Sequence, residues 1–207
     1  MAETGPEGGG RQRRVKRTEV RARLLEAAER CFAESGYEGT SLERIALAAG
    51  FSKGAVYSNF ANKEELFFAL MADRIGERAE SVASALSAAG EGSPRQLAGI
   101  AGKRFEALVA ADPAWQRLFL EFWLHCVRNE ELRARFAERR REMRRNLGAV
   151  ASEESRKSGC RLALSPEDAA TVFLALSNGL GIEGLIDPEL DLEPLMGRML
   201  ELLFGAG

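Results

Sequence analysis

The stretch "ALAAGFSKGAVYSNFANKEELF", residues 46–67, contains two breaks that decide the fold. Gly50-Phe51 turns the chain after one short helical run, and Asn62-Lys63 interrupts it again before a long amphipathic helix begins. Between the breaks sits a helix of little more than one turn, with Ser52 placed to cap it and Lys53 and Gly54 at its tip. Two short helices joined by a turn of about four residues have the layout of a helix-turn-helix. The apolar positions Ile45, Ala46, Ala49 and Val56 are small enough for the helices to cross closely. In that layout the second helix lies in the DNA major groove and reads bases from its N-terminal end. A short, flexible tip lets backbone approach the groove, and the positive end of the helix faces phosphate. Tyr57 offers a hydroxyl to phosphate, and Lys63 and the Arg11–Arg17 arm offer charge. The candidate DNA-facing set is Arg14, Arg17, Thr40, Ser41, Ser52, Lys53, Gly54, Ala55, Tyr57, Ser58, Asn59 and Lys63, with Phe60 assigned to core.

The charge distribution agrees. Net charge is −2, yet residues 1–63 carry 11 Lys/Arg against 8 Asp/Glu, and residues 64–207 carry 18 against 23. A basic end on an otherwise acidic chain suits a polyanionic partner. The opening "MAETGPEGGG" is Gly-rich and has no apolar signal core, so residues 1–17 are expected to be a disordered basic arm. The 3 cysteines, Cys31, Cys126 and Cys160, are odd in number and show no pairing pattern, which fits a reducing, cytoplasmic setting. No apolar run reads as long enough to span a membrane, and no membrane partner is expected.

Outward from the opening stretch the punctuation is helical. Thr40-Ser41, Asn62-Lys63, Ser93-Pro94, Asp112-Pro113, Ser165-Pro166 and Asp187-Pro188 read as helix starts, several with proline at the first helical position. Val20, Leu24, Ala27, Ala28, Cys31 and Phe32 share one face of a first helix, which Ser35-Gly36 ends. Longer helices are expected over 63–89, 94–111, 113–128, 130–158, 166–186 and 188–204. The class is all-α with about nine helices and no strand.

Residues 18–68 resemble the DNA-binding domain of the TetR family of bacterial transcription regulators. The matching stretch is "RLLEAAERCFAESGYEGTSLERIALAAGFSKGAVYSNFANKEELF", with Gly36-Tyr37, Thr40-Ser41, Ile45-Ala46, Gly50, the block Gly54 to Phe60 and Lys63-Glu64-Glu65-Leu66. One departure is Asn59, where many members have histidine; asparagine can still donate to phosphate. The resemblance implies a helix-turn-helix domain over 18–63 and a dimerising, ligand-sensing domain over 64–207. It also implies a double-stranded DNA operator, a homodimer and a small-molecule ligand as partners.

Two stretches beyond the resemblance carry further expectations. In "PAWQRLFLEFWLHC", residues 113–126, Trp115, Phe119, Phe122 and Cys126 share a face, flanked by Leu118 and Trp123, with Phe105 nearby. Plain core and an apolar ligand pocket between helices are both open readings; the pocket set is Phe105, Leu108, Trp115, Phe119, Phe122, Trp123 and Cys126. The last two helices present Phe173, Leu176, Leu180, Leu185, Leu195, Met199 and Leu203 beside the small residues Ser177, Gly181 and Gly184. That pattern reads as a dimer surface, with intramolecular core as the alternative. Arg117, Glu121 and His125 form a polar stripe of four-residue spacing, and Arg139-Arg140-Arg141 with Arg144-Arg145 reads as a solvated helix face. No spacing suggests a metal site, a cofactor or catalysis. Besides a ligand-released repressor, an activator, a redox sensor working through Cys126, and an all-α enzyme or interaction module stay open.

Overall fold

The structure is a computed structural model and describes residues 16–158, 161–190 and 192–204. Among these residues the fold is all-α, built of α1 (Arg17–Ser35), α2 (Leu42–Ala48), α3 (Lys53–Tyr57), α4 (Lys63–Ala89), α5 (Pro94–Ala110), α6 (Pro113–Arg128), α7 (Glu130–Ser158), α8 (Pro166–Ile186) and α9 (Glu193–Phe204). The Gly-rich leader and Arg14 lie outside the described residues, while Arg17 opens α1.

Helix starts follow the cap chemistry. The side chains of Ser41, Ser52, Asn62, Ser93, Asp112 and Ser165 each accept a backbone N–H of the first turn they precede. Ser93 with Gln96 makes a reciprocal capping box. Two expectations are corrected. The cap of α2 is Ser41 and not Thr40, whose hydroxyl turns inward to the carbonyls of Cys31 and Gly36. The last helix starts at Glu193, because Asp187-Pro188 ends α8 instead: Asp187 is its C-cap and its side chain accepts the Glu189 N–H in a tight turn.

One apolar core joins α1, α2, α3, the first turns of α4, α6 and the start of α7. The 63/64 line drawn in the sequence therefore crosses packed core rather than a linker. Helix α4 begins in this core with Leu66, Phe67, Phe68, Leu70 and Met71 and then runs out against α5. The rest of the chain packs α5 on α9, and α8 on α7 and α6.

Helix α8 corrects a further expectation. It is long and apolar enough to cross a membrane by length and composition, with a mean hydropathy of 1.5 over its most apolar window. Its Asn and Gly residues hide this from a search for an unbroken apolar run. Only 28% of that window is buried within the chain.

Candidate nucleic-acid interface

The geometry of the helix pair rests on a few local choices. Gly50 adopts φ 74°, the left-handed conformation that stops α2, and the next N–H, of Phe51, returns to the Ala46 carbonyl at 2.8 Å. Arg23 of α1 closes the turn, donating to the Ala49 carbonyl at 3.0 Å and lying 4.6 Å from the Phe51 ring centre. Ser52 then caps α3, its Oγ accepting the Ala55 N–H at 3.3 Å. Helix α3 anchors itself through the fully buried Val56, which leaves Ser52, Lys53, Gly54, Tyr57 and Ser58 on the exposed side, with Ala55 half-buried. Arg17 joins this surface by donating to the Ser58 carbonyl at 3.3 Å. Ser41 is exposed at the start of α2.

On that surface Lys53 and Tyr57 share a partner that sequence reasoning missed. Glu43 of α2 accepts from Lys53 Nζ at 2.7 Å and from the Tyr57 hydroxyl at 3.0 Å. The Lys53 hydrogen bond, a backbone hydrogen bond of its own and Tyr57 together pull the Glu43 carboxyl down to about 2. The signal was faint, since one acid on an exposed helix position does not announce its target.

Three residues of the expected DNA-facing set turn inward. Thr40 is 2% exposed, with its hydroxyl engaged as described. The Lys63 ammonium donates to the Tyr37 carbonyl at 2.8 Å and sits 4.2 Å from the Tyr37 ring centre, so its charge is held by the protein's own backbone. The Asn59 amide donates to the Ala55 carbonyl at 2.8 Å.

Tyr37 is where the head meets the rest of the chain. Its side chain is fully buried among Phe32, Phe67 and Phe122, with ring centres 5.7, 5.4 and 5.1 Å away. Burial, together with the neighbouring Glu64, pushes its hydroxyl far above the ordinary tyrosine range. The polar stripe of α6 closes over it. Glu121 accepts the Tyr37 N–H at 2.8 Å, and His125 Nδ1 lies 2.7 Å from a Glu38 carboxylate oxygen. Gly36 makes the approach possible: its φ is 69°, and a Cβ there would stand 2.7 Å from Glu121 Oε2. Arg74 of α4 adds a second tie, pairing with Glu29 of α1 and with Asp112, the cap of α6, at 3.0 Å. The stripe was visible in the sequence, but its docking target was not.

The residues expected to form a ligand pocket are dispersed. Trp115, Phe122 and Cys126 are buried in the shared core, with Phe119 and Trp123 packed against it. Phe105 stands apart and pairs with Phe173 at 4.8 Å, and Leu108 is half-buried on α5. Two cavities lie elsewhere, and none of the seven lines either. A trough of about 830 Å³ runs between α4 and α7, walled by Phe68, Met71, Ile75, Met143, Leu147 and Val150. It ends against the head at Asn59, Phe60 and Asn62. A second cavity of about 640 Å³ lies between α5, α6 and α8, with Glu106, Gln116 and Leu180 in its wall.

The small residues of α8 work inside the chain. A Cβ on Gly181 would stand 2.6 Å from Gln116 Oε1, and one on Gly184 3.1 Å from a Leu192 methyl. Ser177 is buried, and Phe173, Leu176, Leu180, Leu185 and Met199 are half-buried. Leu195 is exposed, and the side chain of Leu203 lies outside the described residues. The arginines of α7 pair locally, Arg139 with Glu142, and Arg141 and Arg145 with Glu138.

Comparison with known proteins agrees with this geometry. Over 67 residues the chain is 46% identical to the HTH-type transcriptional repressor AcnR of Corynebacterium glutamicum, covering 32% of this chain and 36% of that one. It is 32% identical over 120 residues to the HTH-type transcriptional activator FasR of Mycolicibacterium smegmatis, covering 58% of this chain and 54% of the relative. The chain thus spans about a third of the length of the repressors it matches first. The fold resembles that of the transcriptional regulator FadR from Bacillus subtilis, solved in complex with stearoyl-CoA. That likeness has a TM-score of 0.65 at 21% identity, over 90% of this chain and 98% of the other. Residues 24–70 match the family of bacterial regulatory proteins named tetR, and residues 94–203 match the C-terminal domain of BetI-type transcriptional repressors. The second match alone exceeds half of the chain, and with the helix-turn-helix at its head this protein belongs to the tetR family of bacterial regulatory proteins.

Proposed function

We propose that this regulator is a cytoplasmic repressor that binds a near-palindromic operator as a homodimer and is released by an apolar small molecule. The observation that carries the DNA reading is the exposed face of α3. Gly54 there meets nothing closer than Ser52 Oγ at 3.8 Å from an added Cβ, and its φ is not positive. Glycine inside a helix costs roughly 0.5–1 kcal/mol relative to alanine, and no neighbour within the chain requires it here. Close approach of an outside partner does, and a DNA groove supplies one.

Dimerisation is supported by α8, which is apolar around its circumference yet fully buried by its own chain over only 28% of its most apolar window. Gly179 faces open space, and Ile186, Leu195 and Leu202 are exposed near it or on α9. A two-fold pairing on this face puts two α3 helices on half-sites roughly 34–36 Å apart or a multiple of that. The trough between α4 and α7 is the better ligand candidate of the two cavities, because its inner end is formed by residues that follow α3 directly. A ligand that prefers one spacing of α4 and α7 then shifts the position of the heads, which is the differential affinity that coupling requires.

The activator reading keeps one specific support, the FasR relative. The redox reading loses support, since Cys126 is 1% exposed and burial pushes its thiol up to about 11, leaving little reactive thiolate. The test is a fluorescence-anisotropy titration against DNA flanking the protein's own gene, with random duplex as competitor and ionic strength varied. Tight binding that survives the competitor is expected. Equal weak binding to both duplexes, and to the best sequences selected from a random pool, would refute the repressor reading.

A further inference from the structure

We infer that Glu43 sets the DNA specificity of this protein by acting as an internal competitor for the phosphate backbone. The inference rests on the reading of α3 as the DNA-facing helix. Lys53 and Tyr57 stand four residues apart, on one face of α3. They are the two groups on that face best suited to seek phosphate, one by its charge and the other by its hydroxyl proton. Both are held by one oxygen of one carboxylate, Glu43 Oε1, at 2.7 and 3.0 Å, and Lys53 Nζ lies 5.5 Å from the Tyr57 ring centre.

Tyrosine has a single O–H proton, and here it is directed at Glu43. The lysine charge is neutralised at the same point. A phosphate oxygen asks for that same proton and that same charge, so Glu43 occupies the place of a backbone contact before DNA arrives. Glu43 belongs to α2, so a different helix presents it across the turn, on the same packed core as α3. The low proton affinity of its carboxyl keeps it charged throughout the working pH range.

The three side chains are exposed, and exposed ion pairs are weak. The clamp is therefore displaceable, but only where the remaining contacts bring a phosphate into register. On an operator they do, and the clamp opens. On random DNA they do not, so Lys53 stays paired and releases no counterion. Discrimination arises from lowering the random affinity more than the specific one.

The experiment compares wild type with Glu43→Gln, using the best duplex selected from a random pool and a scrambled duplex, between 50 and 200 mM salt. Glu43→Gln should bind the scrambled duplex roughly three- to tenfold tighter, with a log–log salt slope steeper by about 0.9, the increment for one more neutralised phosphate. The selected duplex should change less, so the ratio of the two affinities falls. Adding Lys53→Met should abolish the change in salt slope that Glu43→Gln causes on the scrambled duplex. An unchanged ratio and slope, equal tightening on both duplexes, or a slope change that persists with Lys53→Met would each overturn the assignment. A wild type that shows no preference for any selected duplex would instead overturn the DNA reading itself, and this inference with it.

Discussion

Helix α4 separates two regions that join the head to the rest of the chain, and they are built in opposite ways. On one side Phe67 stacks on Phe122 at 4.0 Å and on Trp115 at 5.8 Å, and Tyr37 closes the cluster. On the other side Phe68 meets Phe136 at 6.1 Å near the head, and beyond that point α4 and α7 leave the trough open between them. The filled side fixes the head to α6. On the open side α7 is tied to α4 near the head by the Arg135–Glu65 ion pair and is separated from it beyond by the trough. The two sides differ in how they would respond to load, because close-packed aromatic groups resist deformation whereas an unfilled space does not.

The largest test of this contrast removes the filled side. Phe122→Ala should lower unfolding free energy by about 3–5 kcal/mol, the range for a fully buried phenylalanine, measured by urea denaturation. A loss under about 1 kcal/mol would mean that the seam is not a close-packed core. Gly36→Ala is expected next, at about 1–3 kcal/mol, because Gly36 holds φ 69° and ψ 179°, a region essentially restricted to glycine, and the added methyl meets Glu121. If Glu121→Ala relieves part of that loss in the double variant, the two strains are coupled as the geometry implies. Tyr57→Phe touches neither side of α4. It should weaken operator binding by about 1 kcal/mol, or several-fold, while the thermal transition stays in place. Ile75→Trp fills the open side. Stability should stay within about 0.5 kcal/mol, while an apolar fluorescent dye that binds the wild-type trough loses affinity. A strongly destabilised Ile75→Trp would show that the trough is closed in solution.

The same contrast explains what was legible in the sequence. Helix caps are local chemistry, and Ser52, Asn62, Ser93, Asp112 and Ser165 can each be read from neighbours within three residues. So can the anchoring of α3 by Val56. Asp187 is ambiguous in the sequence because Asp-Pro suits a helix start and a turn equally, and the choice depends on how α8 ends. Side-chain direction was harder. Lys63 resembles a phosphate ligand until the Tyr37 carbonyl, 26 residues away, is brought beneath it. Ser177, Gly181 and Gly184 form a stripe that fits a partner subunit as well as it fits α6 and Leu192. On a helix as uniformly apolar as α8, periodicity has no contrast to report. Trp115, Phe119 and Phe122 posed the same problem, and core packing took the residues that also suited a pocket. Glu43 escaped notice because its two partners lie on another helix, across a turn.

The seam at Tyr37 also bears on how such regulators can be recombined. A sensor made by joining this head to a foreign effector half at residue 63 would keep Gly36, Tyr37 and Glu38 but lose Glu121, Phe122 and His125, which complete them. The graft would expose an aromatic socket with no plug. Transplanting the head with a matching α6 surface keeps the joint intact, so the natural unit of exchange in this protein is a spatial one, drawn from two separated segments of the chain.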